Sequence, residues 1–247
     1  MTKMIDRPTP RDSSALPPSF WEGKASPTSN LQNGRHFQMK GKSMASSPSF
    51  QNQVQSIDVN LDNGTHICLR RIRHSDRKHI EKGISQLSDQ SRYLRFFSGS
   101  KTLPPSVIEK LASVDGIHHL AWGVVIMSDK EHPAVAAAHV FRESKTDDDG
   151  EFAITVLDEH HGQGVARILM MTVFIDAYCE GLRHLRVDIL RSNKKAYGLM
   201  RAIGAKPCLL EGPVAQYDLV LADAISSLQK MESPAALAEI EAAFSAD

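Results

Sequence analysis

The 247-residue sequence has few of the features that mark secreted, metal-binding or membrane proteins. Its three cysteines, Cys68, Cys179 and Cys208, stand far apart and form no C-x-x-C pair. This spacing argues against a disulfide framework or a zinc site and favours a reducing cytoplasm. No apolar run reaches the roughly 20 residues of a membrane span, and the N-terminus has no hydrophobic signal core. We therefore expect a cytoplasmic protein with no metal site.

An excess of charge is also lacking, because 29 basic residues stand against 29 acidic ones. This balance does not mark a bulk nucleic-acid binder, so we expect neither nucleic acid nor a membrane as a partner. The length allows one domain or two and is sufficient to bury a sizeable core.

Sustained hydrophobic periodicity is absent from residues 1–55, which are rich in Ser, Pro, Asn and Gln. Such a segment cannot bury enough apolar surface to offset the entropy of ordering, so it is predicted to be a disordered N-terminal tail. It carries seven basic and three acidic residues, which leaves the rest of the chain mildly acidic. We expect a solvated tail, and the alternative is a docking segment anchored by Phe20 and Trp21.

The stretch 151–205 holds the most informative pattern. The apolar and β-branched residues of the run 151–157 suit a buried strand, and a glycine-containing loop precedes a long apolar helix at 165–180. A second strand follows at 185–190, and a shorter helix runs from Asn193 to a glycine stop signal. The stretch is therefore predicted to be one βαβ unit.

The loop of this unit has the chemistry of a phosphate site. Gly162 and Gly164 bring bare backbone close to a ligand, and the first N–H groups of the next helix have no intrahelical partner. A dinucleotide motif, G-x-G-x-x-G/A, would begin at these glycines, with Asp188 in the place of the ribose-binding acid. However, its sixth position is Arg167, and too few residues follow to complete a doubly wound sheet.

A different family motif fits the loop. The order H-H-G-Q-G-V-A at 160–166 resembles motif A of the GNAT-superfamily N-acetyltransferases, R/Q-x-x-G-x-G/A. His161 takes the Arg/Gln place, Gly164 the glycine and Ala166 the final small residue. Residues 193–205 resemble the second helix motif of the family. Residues 87–98 look like the first-helix region of bacterial GNAT domains related to protein-lysine acetyltransferases, so the resemblance covers roughly 69–221.

The remaining pattern is that of an α+β protein, in which a mostly antiparallel meander leads to one βαβ crossover. This agrees with the GNAT fold that the resemblance implies, with helices on both faces of the sheet. We expect a GNAT domain at 65–223 and a C-terminal helical extension at 224–247, which packs on the domain or on a second copy of the chain in a homodimer. The other predicted elements are strands at 67–73, 120–127, 134–141, 207–210 and 215–221, and helices at 77–87, 91–97, 106–113 and 233–244.

The resemblance implies acetyl-CoA as co-substrate, with its pyrophosphate on the loop 161–167 and its pantetheine arm along the strand that ends at Leu157. His161 departs from the motif, and a neutral imidazole is a poorer partner for an anion than Arg, so a reduced affinity is expected. The residues implied to bind the cofactor are Val156, Leu157, His161, Gly162, Gln163, Gly164, Val165, Ala166, Arg167 and Asn193.

Acetyl transfer to an amine needs a base, a donor for the oxyanion and a leaving thiolate. Glu151 is the candidate base, because it begins the strand that would carry acetyl-CoA and shares a strand face with the small residues Ala153 and Thr155. A glutamate at the matching place serves as general base in the protein acetyltransferases that the chain resembles. The alternative is that Glu151 is only an exposed residue at a strand start.

Two positions of the second helix motif bear on catalysis. Met200 stands where the family usually has a general-acid tyrosine, and Tyr197 lies one helical turn earlier. The thiolate would then take its proton from water or from another group. Asn193 would contact the CoA arm, or cap the helix that begins there, or do both.

These features predict an acetyl-CoA-dependent N-acetyltransferase that transfers an acetyl group directly to a primary amine. The acceptor is a small molecule or a protein lysine, and the pattern does not choose between them. The alternative is a non-catalytic GNAT domain that binds acyl-CoA as a sensor or assembly module. Met200 and His161 are the departures that favour this alternative.

Overall fold

The computed structural model describes residues 54–210 and 212–245. The predicted tail therefore lies outside the described residues, apart from Val54 and Gln55. None of the helices within the described ranges has both the length and the apolar character that a membrane crossing requires.

One mixed sheet of eight strands organises the molecule, in the spatial order β1-β2-β3-β4-β5-β6-β8-β7. All neighbouring pairs are antiparallel except β5 and β6. The strands are β1 (Ser56–Asn60), β2 (His66–Arg71), β3 (His119–Ile126), β4 (Ala134–Phe141), β5 (Asp149–Val156), β6 (His184–Leu190), β7 (Lys206–Leu209) and β8 (Val214–Val220).

Seven α-helices accompany the sheet in the described part of the chain. They are α1 (Arg77–Gln86), α2 (Asp89–Phe96), α3 (Pro105–Ala112), α4 (Val165–Cys179), α5 (Lys194–Ala202), α6 (Leu221–Gln229) and α7 (Ala236–Ser245). The α1–α3 group covers one face of the sheet, and α4, α6 and α7 pack together on the other.

Two of these elements are absent from the sequence-based prediction. Strand β1 has only Ile57 and Val59 as buried positions, so its alternation is too short to stand out from the polar segment before it. Helix α6 buries Leu221, Ala224 and Leu228 at helical spacing, but its first residue is also the last one of the strand predicted at 215–221.

Helix α4 is fixed to the sheet by a buried ionic contact. Both Nη atoms of Arg71 donate to Asp176, at 2.9 and 2.6 Å, and Trp122 Nε1 donates to the same carboxylate at 2.8 Å. Asp176 is 3% exposed, and Phe174 packs edge-on against Phe152 of β5. These contacts fix the helix axis and therefore the direction in which its N-terminus points.

The parallel pair β5–β6 is joined over only three positions, from Asp149↔His184 to Glu151↔Arg186. Beyond Glu151, β5 continues to pair with β4, whereas β6 continues with β8. The two strands therefore diverge, and the sheet opens into a V-shaped gap.

Candidate active site

A cleft of about 1140 Å³ lies between the separated parts of β5 and β6. Its walls come from both strands, from α2, from the loop before α4, from α5 and from the connection between α6 and α7. The predicted residues that line it are Glu151, Val156, His161, Gly162, Gly164, Val165, Ala166, Arg167 and Asn193.

One end of the cleft is the glycine loop. Gly162 and Gly164 have φ values of +78° and +86°, a region that L side chains rarely adopt, so the sharp turn into α4 depends on glycine here. Within the described chain, the N–H groups of residues 162–166 donate to no protein acceptor. These free donors and the positive end of the α4 dipole suit phosphate oxygens.

Two predicted cofactor residues, Leu157 and Gln163, do not line the cleft, and the ring of a third, His161, is bonded to the protein backbone. His161 Nε2 lies 2.9 Å from the carbonyl oxygen of Val156, so the ring donates to the end of β5. Gln163 folds back and donates to Glu159 O at 2.9 Å. Leu157 is buried and lines a separate, small cavity on the other side of β5.

The other end of the cleft is the point where the strands separate, and Glu151 lies there. It is the last residue of β5 that pairs with β6, opposite Arg186. Burial and the nearby charge of Asp188 raise the pKa of the Glu151 carboxyl, while Lys110, Arg95 and Arg186 oppose this shift. A carboxylate with a raised pKa is a stronger proton acceptor at neutral pH.

Asp188 faces Glu151 across the gap. It lies two positions beyond Arg186 on β6, so it points to the same face of the sheet as Arg186 and its partner Glu151. Its Oδ1 accepts a hydrogen bond from Gln216 Nε2 of β8 at 3.0 Å. Asp188 therefore lines the cleft close to Glu151.

Helix α5 supplies a third wall. The Asn193 side chain caps it by accepting from Ala196 N at 3.1 Å, and the same residue lines the cleft. Met200 is 2% exposed and also lines the cleft. Tyr197 is 41% exposed and its ring lies 6.0 Å from that of Tyr217, outside the cleft.

Residues 96–205 match the model of the Acetyltransferase (GNAT) family. These residues, just under half of the chain, form a GNAT acetyltransferase domain. The splayed strands, the glycine loop and the helix N-terminus described above all lie within the matched residues. The family and the α+β fold that the sequence predicts are therefore confirmed.

The GNAT domain is similar to two curated acetyltransferases. It is 27% identical over 146 residues to Acetyltransferase PA5475 of Pseudomonas aeruginosa. These aligned residues are 58% of this chain and 77% of that protein. It is also 27% identical over 152 residues to Acetyltransferase Pat of Mycolicibacterium smegmatis. These aligned residues are 62% of this chain and 45% of that protein. The chain thus spans less than half the length of Pat.

A solved structure shares the fold. The GNAT domain of S. lividans PAT superimposes with a TM-score of 0.62 at 23% identity, and the match covers 67% of this chain and 96% of that domain. At this identity, the likeness supports the fold and does not assign a substrate.

The structure also shows a buried histidine pair on β3 and β4, which the sequence pattern does not reveal. His119 Nδ1 lies 3.0 Å from Ser113 O, and His119 Nε2 lies 2.9 Å from His139 Nδ1. A carbonyl only accepts, so we assign the protons to His119 Nδ1 and His139 Nδ1. Burial lowers the pKa of His119 to about 4 and that of His139 well below its usual value, so both are neutral.

Arg95 is a further residue that sequence reasoning missed. It lies on α2, lines the cleft and also lines the small cavity under α1, together with Thr155 and His139. Burial lowers the pKa of its guanidinium to about 10, and the charge of Glu151 opposes that shift. Arg95 therefore remains cationic at neutral pH and belongs to the charged surroundings of Glu151.

Proposed function

We propose that this GNAT domain transfers an acetyl group from acetyl-CoA directly to a primary amine. The observation that carries the proposal is the position of Glu151. This carboxylate lies where β5 and β6 separate, at one end of a cleft whose other end is the glycine loop. A base and a phosphate site at opposite ends of one cleft suit a long acyl-CoA thioester.

The cofactor fits this cleft in one direction. Its pyrophosphate would bind the N–H groups of residues 162–166 at the start of α4. The edge of β5 that faces β6 is unpaired beyond Glu151, so the pantetheine arm would add to it like another strand. Asn193 would contact that arm from the opposite wall, and the thioester would then lie near Glu151.

The reaction follows from these positions. The acceptor arrives as an ammonium ion, and Glu151 removes one proton from it. The amine nitrogen then attacks the thioester carbon, and the nitrogen of the tetrahedral intermediate loses a second proton to solvent. The intermediate collapses to the neutral amide as the C–S bond breaks and releases the CoA thiolate. No tyrosine of the described residues lines the cleft, so the CoA thiolate takes its proton from water or from another group.

The alternative is a GNAT domain that binds acyl-CoA as a sensor or assembly module. Two observations favour it: Met200 occupies the cleft in the place of a tyrosine, and His161 donates to Val156 O instead of facing a phosphate. Neither removes the base or the backbone donors, so transfer is the function that the geometry supports better.

A binding experiment tests the cofactor first. We expect micromolar binding of acetyl-CoA and no binding of NAD by calorimetry. Binding of NAD without binding of CoA would exclude the proposal.

A thiol-release assay then tests transfer, with a panel that contains a lysine peptide, a polyamine, an aminoglycoside and a free amino acid. We expect release of CoA with at least one class, together with a mass gain of one acetyl group on that acceptor. CoA binding with no turnover on any class would favour the sensor.

A further inference from the structure

The connection between α6 and α7, residues 230–235, crosses the N-terminus of α4, and we call it the strap. Its residues Met231, Glu232 and Ser233 line the cleft. Pro234 packs on the glycine loop so closely that a Cβ atom at Gly164 would lie 3.0 Å from the proline ring. The strap therefore forms one wall of the cleft at its phosphate end.

The strap also holds the guanidinium of Arg167. The Nη1 atom of Arg167 donates to Ser233 O at 2.8 Å. Arg167 is the third residue of α4 and lines the cleft. A guanidinium has five N–H donors, so this single bond restricts the side chain and leaves donors for a ligand.

Asp62 also bonds to the strap, in addition to the bond that the strap makes with Arg167 of α4. It lies between β1 and β2, and its carboxylate accepts from Ser233 Oγ at 2.6 Å and from Ala235 N at 3.0 Å. These two bonds and the charge of Arg167 lower the pKa of the Asp62 carboxyl, so it is ionised at neutral pH.

The turn between β1 and β2, which holds Asp62, also contacts the glycine loop. Asn63 Nδ2 lies 3.5 Å from Gln163 Oε1, at the outer limit of a hydrogen bond. The β1–β2 turn, the strap and the loop thus meet at the N-terminus of α4. Two of these three segments lie outside the residues that match the family model.

We propose that Asp62 positions Arg167, through the strap, to bind a phosphate of acetyl-CoA. This inference rests on the proposed function. His161, at the motif position that is usually Arg or Gln, is bonded to Val156 O. Arg167 is a cation already held at the phosphate end of the cleft, and a restrained side chain loses less entropy when the ligand binds. Arg167 would contact the ligand, whereas Asp62 and Ser233 act only as positioning residues.

The test compares Kd values for acetyl-CoA, measured by calorimetry at one salt concentration. Arg167→Ala should raise Kd by roughly tenfold or more, the scale of a lost charge-assisted hydrogen bond. Asp62→Ala should raise it several-fold, and the double variant should match Arg167→Ala alone. In Asp62→Asn the amide oxygen can still accept from Ala235 N and the amide nitrogen can donate to Ser233 Oγ, so this variant should bind acetyl-CoA nearly as the wild type does. Asp223→Ala, an exposed carboxylate on α6, is the matched control.

A second readout separates positioning from a purely structural role. S-acetylpantetheine carries no phosphate, so its transfer rate should be the same in Asp62→Ala and in the wild type. With acetyl-CoA, KM should rise and kcat should stay unchanged.

Three outcomes would overturn the inference. The first is that Asp62→Ala binds acetyl-CoA with the wild-type Kd. The second is that the effects of Asp62→Ala and Arg167→Ala on Kd add in the double variant. The third is that Asp62→Ala lowers the melting temperature without changing Kd. In each case the proposed function still stands if the wild-type protein binds acetyl-CoA. A wild type that binds no acetyl-CoA would overturn both.

Discussion

At the scale of single residues, Glu151 owes its candidate role to its neighbours. Burial and the carboxylate of Asp188 raise its pKa, and the cations Lys110, Arg95 and Arg186 oppose that rise. An exposed glutamate at a strand start would have none of these partners. Its surroundings therefore favour a base over a surface residue, the two interpretations that the sequence left open, and the role stays a proposal.

Glu151→Gln should lower turnover by roughly a hundredfold or more, the usual loss for a positioned base. Binding of acetyl-CoA should survive, because the phosphate donors lie at the far end of β5. The loss should shrink at high pH, where more of the acceptor is already the free amine. Steady-state kinetics across pH measures this, with the exposed Glu143→Gln as control. Wild-type turnover at neutral pH would exclude Glu151 as the base.

Asp188→Asn tests the electrostatic coupling. The negative charge of Asp188 raises the pKa of Glu151, so its removal should lower that pKa. A base with a lower pKa is deprotonated at lower pH, and the acid limb of the kcat/KM profile should therefore shift to lower pH. Asn can still accept the hydrogen bond from Gln216. An unchanged limb, or a shift to higher pH, would show that the limb does not report Glu151.

At the scale of elements, the glycine loop and α4 form a unit that the sequence pattern predicts well. The spacing of Gly162 and Gly164 is local, and so is the run of apolar residues that follows. The sequence predicts α4 at 165–180, and the structure has Val165–Cys179. By contrast, the strap that covers Gly164 comes from a segment about seventy residues later, so no local pattern could indicate it.

The two glycines should differ in their tolerance of a side chain. Both have positive φ, which costs about 1–2 kcal/mol for an L residue. A Cβ at Gly164 would also lie 3.0 Å from Pro234, whereas nothing lies within 4 Å of one at Gly162. We therefore expect Gly164→Val to lower the melting temperature more than Gly162→Val and to abolish CoA binding. Thermal unfolding and calorimetry check this, and equal melting temperatures would contradict the packing of the strap on the loop.

At the scale of the whole molecule, the described chain begins with contacts that matter for the core. Val54 O accepts from Arg71 Nε at 3.1 Å, and Gln55 O accepts from Arg71 N at 3.2 Å. Arg71 is the half-buried partner of the buried Asp176 on α4. The boundary between tail and domain therefore bears on how α4 is held.

Removal of residues 1–53 should leave the melting temperature nearly unchanged, because the segment is predicted to bury little surface. Removal through Gln55 should lower it, since Arg71 then loses two backbone acceptors next to its buried ion pair. Differential scanning calorimetry of the two truncations gives the comparison. A large drop for the shorter truncation would show that the tail is part of the fold.

The sequence by itself determined the family, the α+β layout, the glycine loop and the candidate base, because each of these depends on residues close together in the chain. A cytoplasmic location and a homodimer stay predictions. The tertiary structure alone decided which side chains meet at the cleft. Glu151 and Asp188 face each other because β5 and β6 separate after three paired positions, and Asp62 reaches Ser233 across 171 positions of sequence. Contacts of this kind follow from strand order and helix packing, which no local pattern encodes.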